Sequence, residues 1–156
     1  MKKIILTFFL LIFFGYTKTL CNLLPNKIDG YKSLAKCEFI NIQNNFGTSQ
    51  QAYQEYSKNG NKIILTLIKG RMAQQAIAPF MAPMQIETNE MLMKVTDCDG
   101  FKCAISYNKK ENGGVIIILL NQNIPAALTM NFENISIEMA KKLLSNINLK
   151  NIKNNL

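Results

Sequence analysis

The sequence predicts an α+β domain: an antiparallel sheet of about five to seven strands with helices packed on it, ending in a C-terminal helix at 136–147. Three observations predict it. The runs Ile63-Ile64-Leu65-Thr66-Leu67-Ile68 and Val115-Ile116-Ile117-Ile118-Leu119-Leu120 have strand length and are apolar on both faces, so each needs cover on both sides. Asn59-Gly60 and Asp99-Gly100 each separate two extended runs, the strongest short-range signal for a hairpin. Residues 137–147 place Ile137, Met139, Ala140, Leu143, Leu144 and Ile147 on one arc of a helix, with Glu138, Lys141, Lys142 and Ser145 on the other.

In chain order, the first element is one to set aside. Met1-Lys2-Lys3 precedes an apolar run from Ile4 to Phe14, too short for a membrane span, which needs about 20 residues. A basic start followed by a short apolar core reads as a signal peptide. The expected cut follows Thr19-Leu20-Cys21, giving a signal peptide of residues 1–21 and a single domain of residues 22–156; a cut after Gly15-Tyr16-Thr17 is the alternative. Cys21 also raises an envelope lipoprotein anchored through its sulfur, although Lys18 stands where a lipobox needs an apolar residue. Association with a membrane is expected only if Cys21 is lipidated.

The remaining elements follow from local patterns. Residues 39–42 form a short strand, and 50–58 a strand polar enough to lie at an edge, paired through Asn59-Gly60 with 62–69. Residues 71–81, rich in Ala, Met and Gln and closed by Pro79 and Pro83, read as a helix. Residues 91–97 and 101–107 make a second hairpin, Gly113-Gly114 turns into 115–120, and 126–132 is extended. Ser136 is placed to cap the last helix, with Glu138 in its first turn.

Composition excludes several chemistries. The chain has 156 residues, 48% of them apolar, and no histidine. Ser-His-Asp and Cys-His nucleophile pairs, His-ligated zinc and haem, and the commonest general base near neutral pH are therefore absent. The net charge of +8 is partly an address label: Lys2, Lys3 and Lys18 lie within residues 1–21, leaving 15 basic against 10 acidic residues. With a single arginine and an exported destination, nucleic acid is not an expected partner.

If Cys21 leaves with the signal peptide, Cys37, Cys98 and Cys103 remain in an oxidising compartment. Cys98 and Cys103 flank the Asp99-Gly100 turn and are the expected disulfide, worth about 2 kcal/mol for so short a loop. Their Cys-x4-Cys spacing lacks the two-residue separation of a redox dithiol. Asp97-x-Asp99-Gly100 resembles the start of a calcium loop, but the further oxygens are missing and a turn accounts for it.

Leu24-Pro25, Gly30-Tyr31, Gln51-Ala52-Tyr53-Gln54-Glu55-Tyr56, Lys62-Ile63-Ile64-Leu65-Thr66-Leu67, Gly100-Phe101 and the closing Ala140-Lys141-Lys142-Leu143-Leu144 together resemble small exported bacterial proteins. The resemblance implies a PsbP-like α+β layout and carries over no catalytic residue.

Methionine is the unusual enrichment. Met72, Met81, Met84, Met91 and Met93 fall within 22 positions of one another. Thioethers bind Cu(I) when they converge, and methionine also fills and lines adaptable apolar surfaces. The expected function is a non-enzymatic binding or accessory domain, periplasmic or secreted, with an apolar groove at these five methionines and a protein or lipid partner in the cell envelope. No cofactor or metal is expected. The enzymatic alternative is a histidine-free site using carboxylate, tyrosine or lysine groups, with Asp97, Glu87, Tyr53 and Tyr56 as its candidates.

Overall fold

A computed structural model describes residues 19–156 apart from Phe46, Ala82 and Pro83. The apolar N-terminal run and the alternative cut after Thr17 lie outside the described residues. In chain order the strands are β1 (Lys27–Ile28), β2 (Tyr31–Ser33), β3 (Glu38–Asn44), β4 (Gly47–Lys58), β5 (Asn61–Gly70), β6 (Gln85–Glu87), β7 (Met91–Cys98), β8 (Phe101–Asn108), β9 (Gly113–Asn121) and β10 (Ala126–Glu133). The helices are α1 (Arg71–Ile77), α2 (Ile137–Ser145) and α3 (Leu149–Asn154), with single 3-10 turns at Leu20–Leu23 and Ala78–Met81.

The two Gly turns set the sheet. Asn59 and Gly60 have φ of 52° and 81°, and Asp99 and Gly100 have 51° and 80°. Two successive left-handed residues match the right-handed twist of flanking strands, so β4 pairs with β5 from Ser49–Gly70 to Lys58–Asn61, and β7 with β8 from Met91–Asn108 to Cys98–Phe101. β10 then lies between β5 and β9, and the sheet runs β1-β2-β4-β5-β10-β9-β8-β7-β6, antiparallel throughout, with β3 also on β4.

Period-two alternation gives this sheet a closed face and a half-open one. Ala52 and Tyr56 of β4, Ile63, Leu65 and Leu67 of β5, Leu128, Met130 and Phe132 of β10, Ile116 and Ile118 of β9, and Cys103, Ile105 and Tyr107 of β8 are all buried and stand in register. Ile137, Ala140, Leu143 and Leu144 of α2, Leu149 and Ile152 of α3, and Leu20, Leu23 and Leu24 complete that core. Opposite them, α1 packs on β4, β5 and β10, its Ala73 buried and its Met72 N–H donating to Ser49 Oγ at 3.1 Å. Beyond the reach of α1, Ile64, Val115, Ile117 and Met93 are half-buried.

The expected α+β layout of five to seven strands under packed helices is therefore corrected: ten strands form one sheet, and the helices are few and short. The strand count differs because of the shortest strands, and three further local readings change with it. β1, β2 and β6 are two or three residues long, below any length at which alternation is visible. β4 is interior instead of an edge, with β5 on one side and β2 and β3 in succession on the other. Its polar residues Gln51, Tyr53, Glu55 and Ser57 occupy the half-open face, so they report an uncovered face and not an uncovered edge. The C-terminal helix expected at 136–147 ends at Ser145, and a separate α3 follows, capped by Asn148 Oδ1 accepting from Asn151 N–H at 2.9 Å. Likewise the helix expected over 71–81 is α1 followed by a 3-10 turn.

Cysteine pairing supplies a partner for Cys37, which the sequence left open. Cys98 is bonded to Cys103, and Cys21 is bonded to Cys37, so the described chain leaves no cysteine unpaired.

Candidate functional site

The methionine-rich segment forms an exposed face at one end of the sheet. In β7, Met91 and Met93 point the same way while Leu92 turns to the core. Ile86 of β6 pairs with Met93, and the Val95 N–H donates to the Met84 carbonyl at 3.3 Å, which extends the ladder by one position. Met84, Ile86, Met91 and Met93 thus share one face of the terminal β6–β7 pair. Met84, Ile86 and Met91 are 46%, 42% and 41% exposed, which is unusual for three neighbouring large apolar side chains on a strand edge. Met72 is 37% exposed on α1, and the side chain of Met81 lies outside the described residues.

Met84, Ile86 and Met91 make an exposed apolar surface. The clefts that open around Phe101 and beside the Cys21–Cys37 bridge contain no methionine. Met84 sits opposite Val95, four positions along β7 from Met91, or about 13 Å at about 3.3 Å per residue. Strand side chains stand roughly upright, so Met91 and Met93 can approach one point while Met84 remains apart. Among the described residues there is also no cluster of three Cys, Asp or Glu able to hold a metal ion.

The four candidates for a histidine-free catalytic site are dispersed. Tyr56 is buried under the sheet, its hydroxyl donating to the Pro25 carbonyl at 2.5 Å, and burial raises its phenol far above the usual value. Tyr53 is on the opposite face of β4, donating to Glu55 Oε2 at 3.2 Å; partial desolvation, then that carboxylate, raise its pKa. Glu87 stands at the far end of the sheet in a 2.9 Å ion pair with Lys109, which holds its carboxyl below the ordinary range. Asp97 accepts the Gly100 N–H at 2.9 Å across the β7–β8 turn, so Asp97-x-Asp99-Gly100 is spent on turn geometry. No two of these groups meet in a cleft.

Sequence reasoning missed Ile86. Its signal was the alternation Met84, Ile86 against Met91, Met93 across a Thr88–Glu90 turn, obscured because β6 has only three residues. The turn is held by Thr88, whose Oγ1 accepts from the N–H groups of Glu90 and Met91 at 3.2 and 3.0 Å.

No family model, curated protein or solved structure matches the chain.

Proposed function

We propose that this protein is an exported binding domain whose terminal β6–β7 edge receives an extended apolar segment of an envelope protein. The observation that carries the reading is the shared, exposed face of Met84, Ile86, Met91 and Met93 on the last two strands of the sheet. A terminal strand offers unpaired backbone groups to a further strand, and flexible thioethers beside it adapt to different apolar side chains. Two disulfides fit an oxidising compartment, either extracellular or periplasmic.

The disulfide to Cys21 changes the processing expected for such an export. A cut after Cys21 removes the partner of Cys37 and the buried Leu20. Processing therefore falls upstream, after Gly15-Tyr16-Thr17, and the mature chain begins at Lys18. A Cys21 sulfur committed to Cys37 also has no thiol left for a lipid thioether, which disfavours the lipoprotein alternative.

Photo-crosslinking in the native envelope tests the binding face. With a photoreactive residue at Ile86 or Met91, a discrete protein adduct is expected, and none from Ile124, a more exposed apolar residue in the turn between β9 and β10. Lipid adducts at Ile86, or equal labelling from Ile124, would sink the reading.

A further inference from the structure

A second association surface, separate from the methionine face, lies on β3. This strand of 7 residues pairs with β4 from Glu38–Tyr53 to Asn44–Gly47, and with no other strand among the described residues. Its far side presents a row of unpaired backbone N–H and C=O groups, the template on which a further strand adds. β3 spans about 23 Å at about 3.3 Å per residue, more than twice the length of β6.

Sheets commonly blunt such an edge with prolines, bulges, lysines or very short strands. β3 carries none of these. Glu38-Phe39-Ile40-Asn41-Ile42-Gln43-Asn44 holds one charge, at its first position, and pairs with β4 without a register shift. Ile40 and Ile42 stand opposite Gln51 and Ser49 on the half-open face, and Phe39 stands opposite Ala52 on the closed one. Phe39 and Ile40 are 40% and 43% exposed, so apolar side chains flank the free edge on both faces.

The order of residues points to the occupant, because the strand is nearly symmetric about Asn41. Laid antiparallel on a second copy with Asn41 opposite Asn41, β3 sets Ile40 against Ile42 twice on the half-open face and Phe39 against Gln43 on the closed one. Each face thus meets its own kind, and β-branched residues opposed across strands are favourable pairs. Charge selects this sense of pairing. A parallel pair in register sets Glu38 against Glu38, like charges directly opposed. In the antiparallel pair the two carboxylates lie about 20 Å apart at about 3.3 Å per residue. Each then faces Asn44, toward the end of the sheet where Gly70 pairs with Ser49 and Arg71 opens α1. A two-fold axis through Asn41 closes both free edges at once. We propose that this protein forms a two-fold dimer through antiparallel pairing of β3 with β3 of a second copy, centred on Asn41.

Sedimentation of the mature, disulfide-intact protein over a concentration series decides it. A monomer–dimer equilibrium is expected, weakened about tenfold by Ile40→Lys, which places a lysine in both copies of one isoleucine contact. Ile86→Lys, at the methionine edge, is expected to leave it unchanged. Both side chains are exposed, so both variants keep their fold. Register is read separately by mild oxidation. Asn41→Cys is expected to form a covalent dimer, since directly opposed Cα atoms lie about 4.5–5.5 Å apart, within reach of a disulfide. Gln43→Cys is not, its two copies being about 13 Å apart at about 3.3 Å per residue. A chain that stays monomeric at every concentration overturns the proposal, as does a dimer lost in Ile86→Lys but kept in Ile40→Lys. Equal crosslinking at positions 41 and 43 overturns the pairing about Asn41. Adducts of other proteins at Ile86 are untouched by any of these results, so the two surfaces stand or fall separately.

Discussion

Tyr56 shows how one side chain ties the N-terminal segment to the sheet. Its ring is fully buried beneath β4, and its hydroxyl reaches the carbonyl of Pro25, 31 positions earlier. Leu23, Leu24 and Ile28 pack on the same core, so this hydrogen bond fixes the depth at which the entering segment docks. Tyr56→Phe keeps the packing and leaves the carbonyl unpaired, so a loss of about 1–2 kcal/mol in urea unfolding is expected. The same phenol gives a pH signature. Because burial raises its folded pKa above 10, the folded state holds that proton where the unfolded state releases it, so its contribution is intact below about pH 10 and falls as pH rises beyond. Tyrosine absorbance should therefore show one residue that ionises only together with alkaline unfolding; its disappearance in Tyr56→Phe identifies it.

At the scale of elements, the two disulfides differ in what they constrain. Cys98–Cys103 closes a five-residue separation within a hairpin whose turn is already set by Asp99 and Gly100. Cys21–Cys37 spans 16 residues and closes a loop over the 3-10 turn Leu20–Leu23 and the short strands β1 and β2, which pair only at the margin of the sheet. Loop-closure entropy predicts that Cys37→Ala costs about 3 kcal/mol in the oxidised protein and Cys98→Ala about 2 kcal/mol, measured as shifts in urea midpoint. Local pattern revealed the elements it could support. Hairpins with Asn-Gly and Asp-Gly turns, and a helix capped by Ser136 Oγ accepting the Met139 N–H at 3.3 Å, carry their own instructions. α3 carries too few: six residues contain only Leu149 and Ile152 as apolar anchors, and their burial depends on α2 and the sheet being in place.

For the whole molecule, the N-terminus is the informative test. On the proposed export, mass spectrometry of the protein recovered from its native host is expected to find Lys18 as first residue and all four cysteines oxidised. A chain starting at Asn22, or a lipid on Cys21, contradicts the arrangement in which Leu20 and Cys21 belong to the folded body. The candidate surfaces were legible to different degrees. Methionine enrichment marked the segment 72–93, because composition survives without geometry. That Met84, Ile86, Met91 and Met93 share a face, while Met72 rides on a separate helix, depended on which residues of β6 oppose which residues of β7. The β3 edge was legible only in part: residues 39–42 read as a short strand, but its extent of Glu38–Asn44 and its free side depend on β4 being its one partner among the described residues. By itself the sequence determined the absence of histidine chemistry, the two tight hairpins and the cap of α2. Tertiary structure alone decided the ten-strand order, the interior place of β4 and the partner of Cys37. These rest on pairings between distant segments, whose free energy comes from buried area and register that no local window of residues contains.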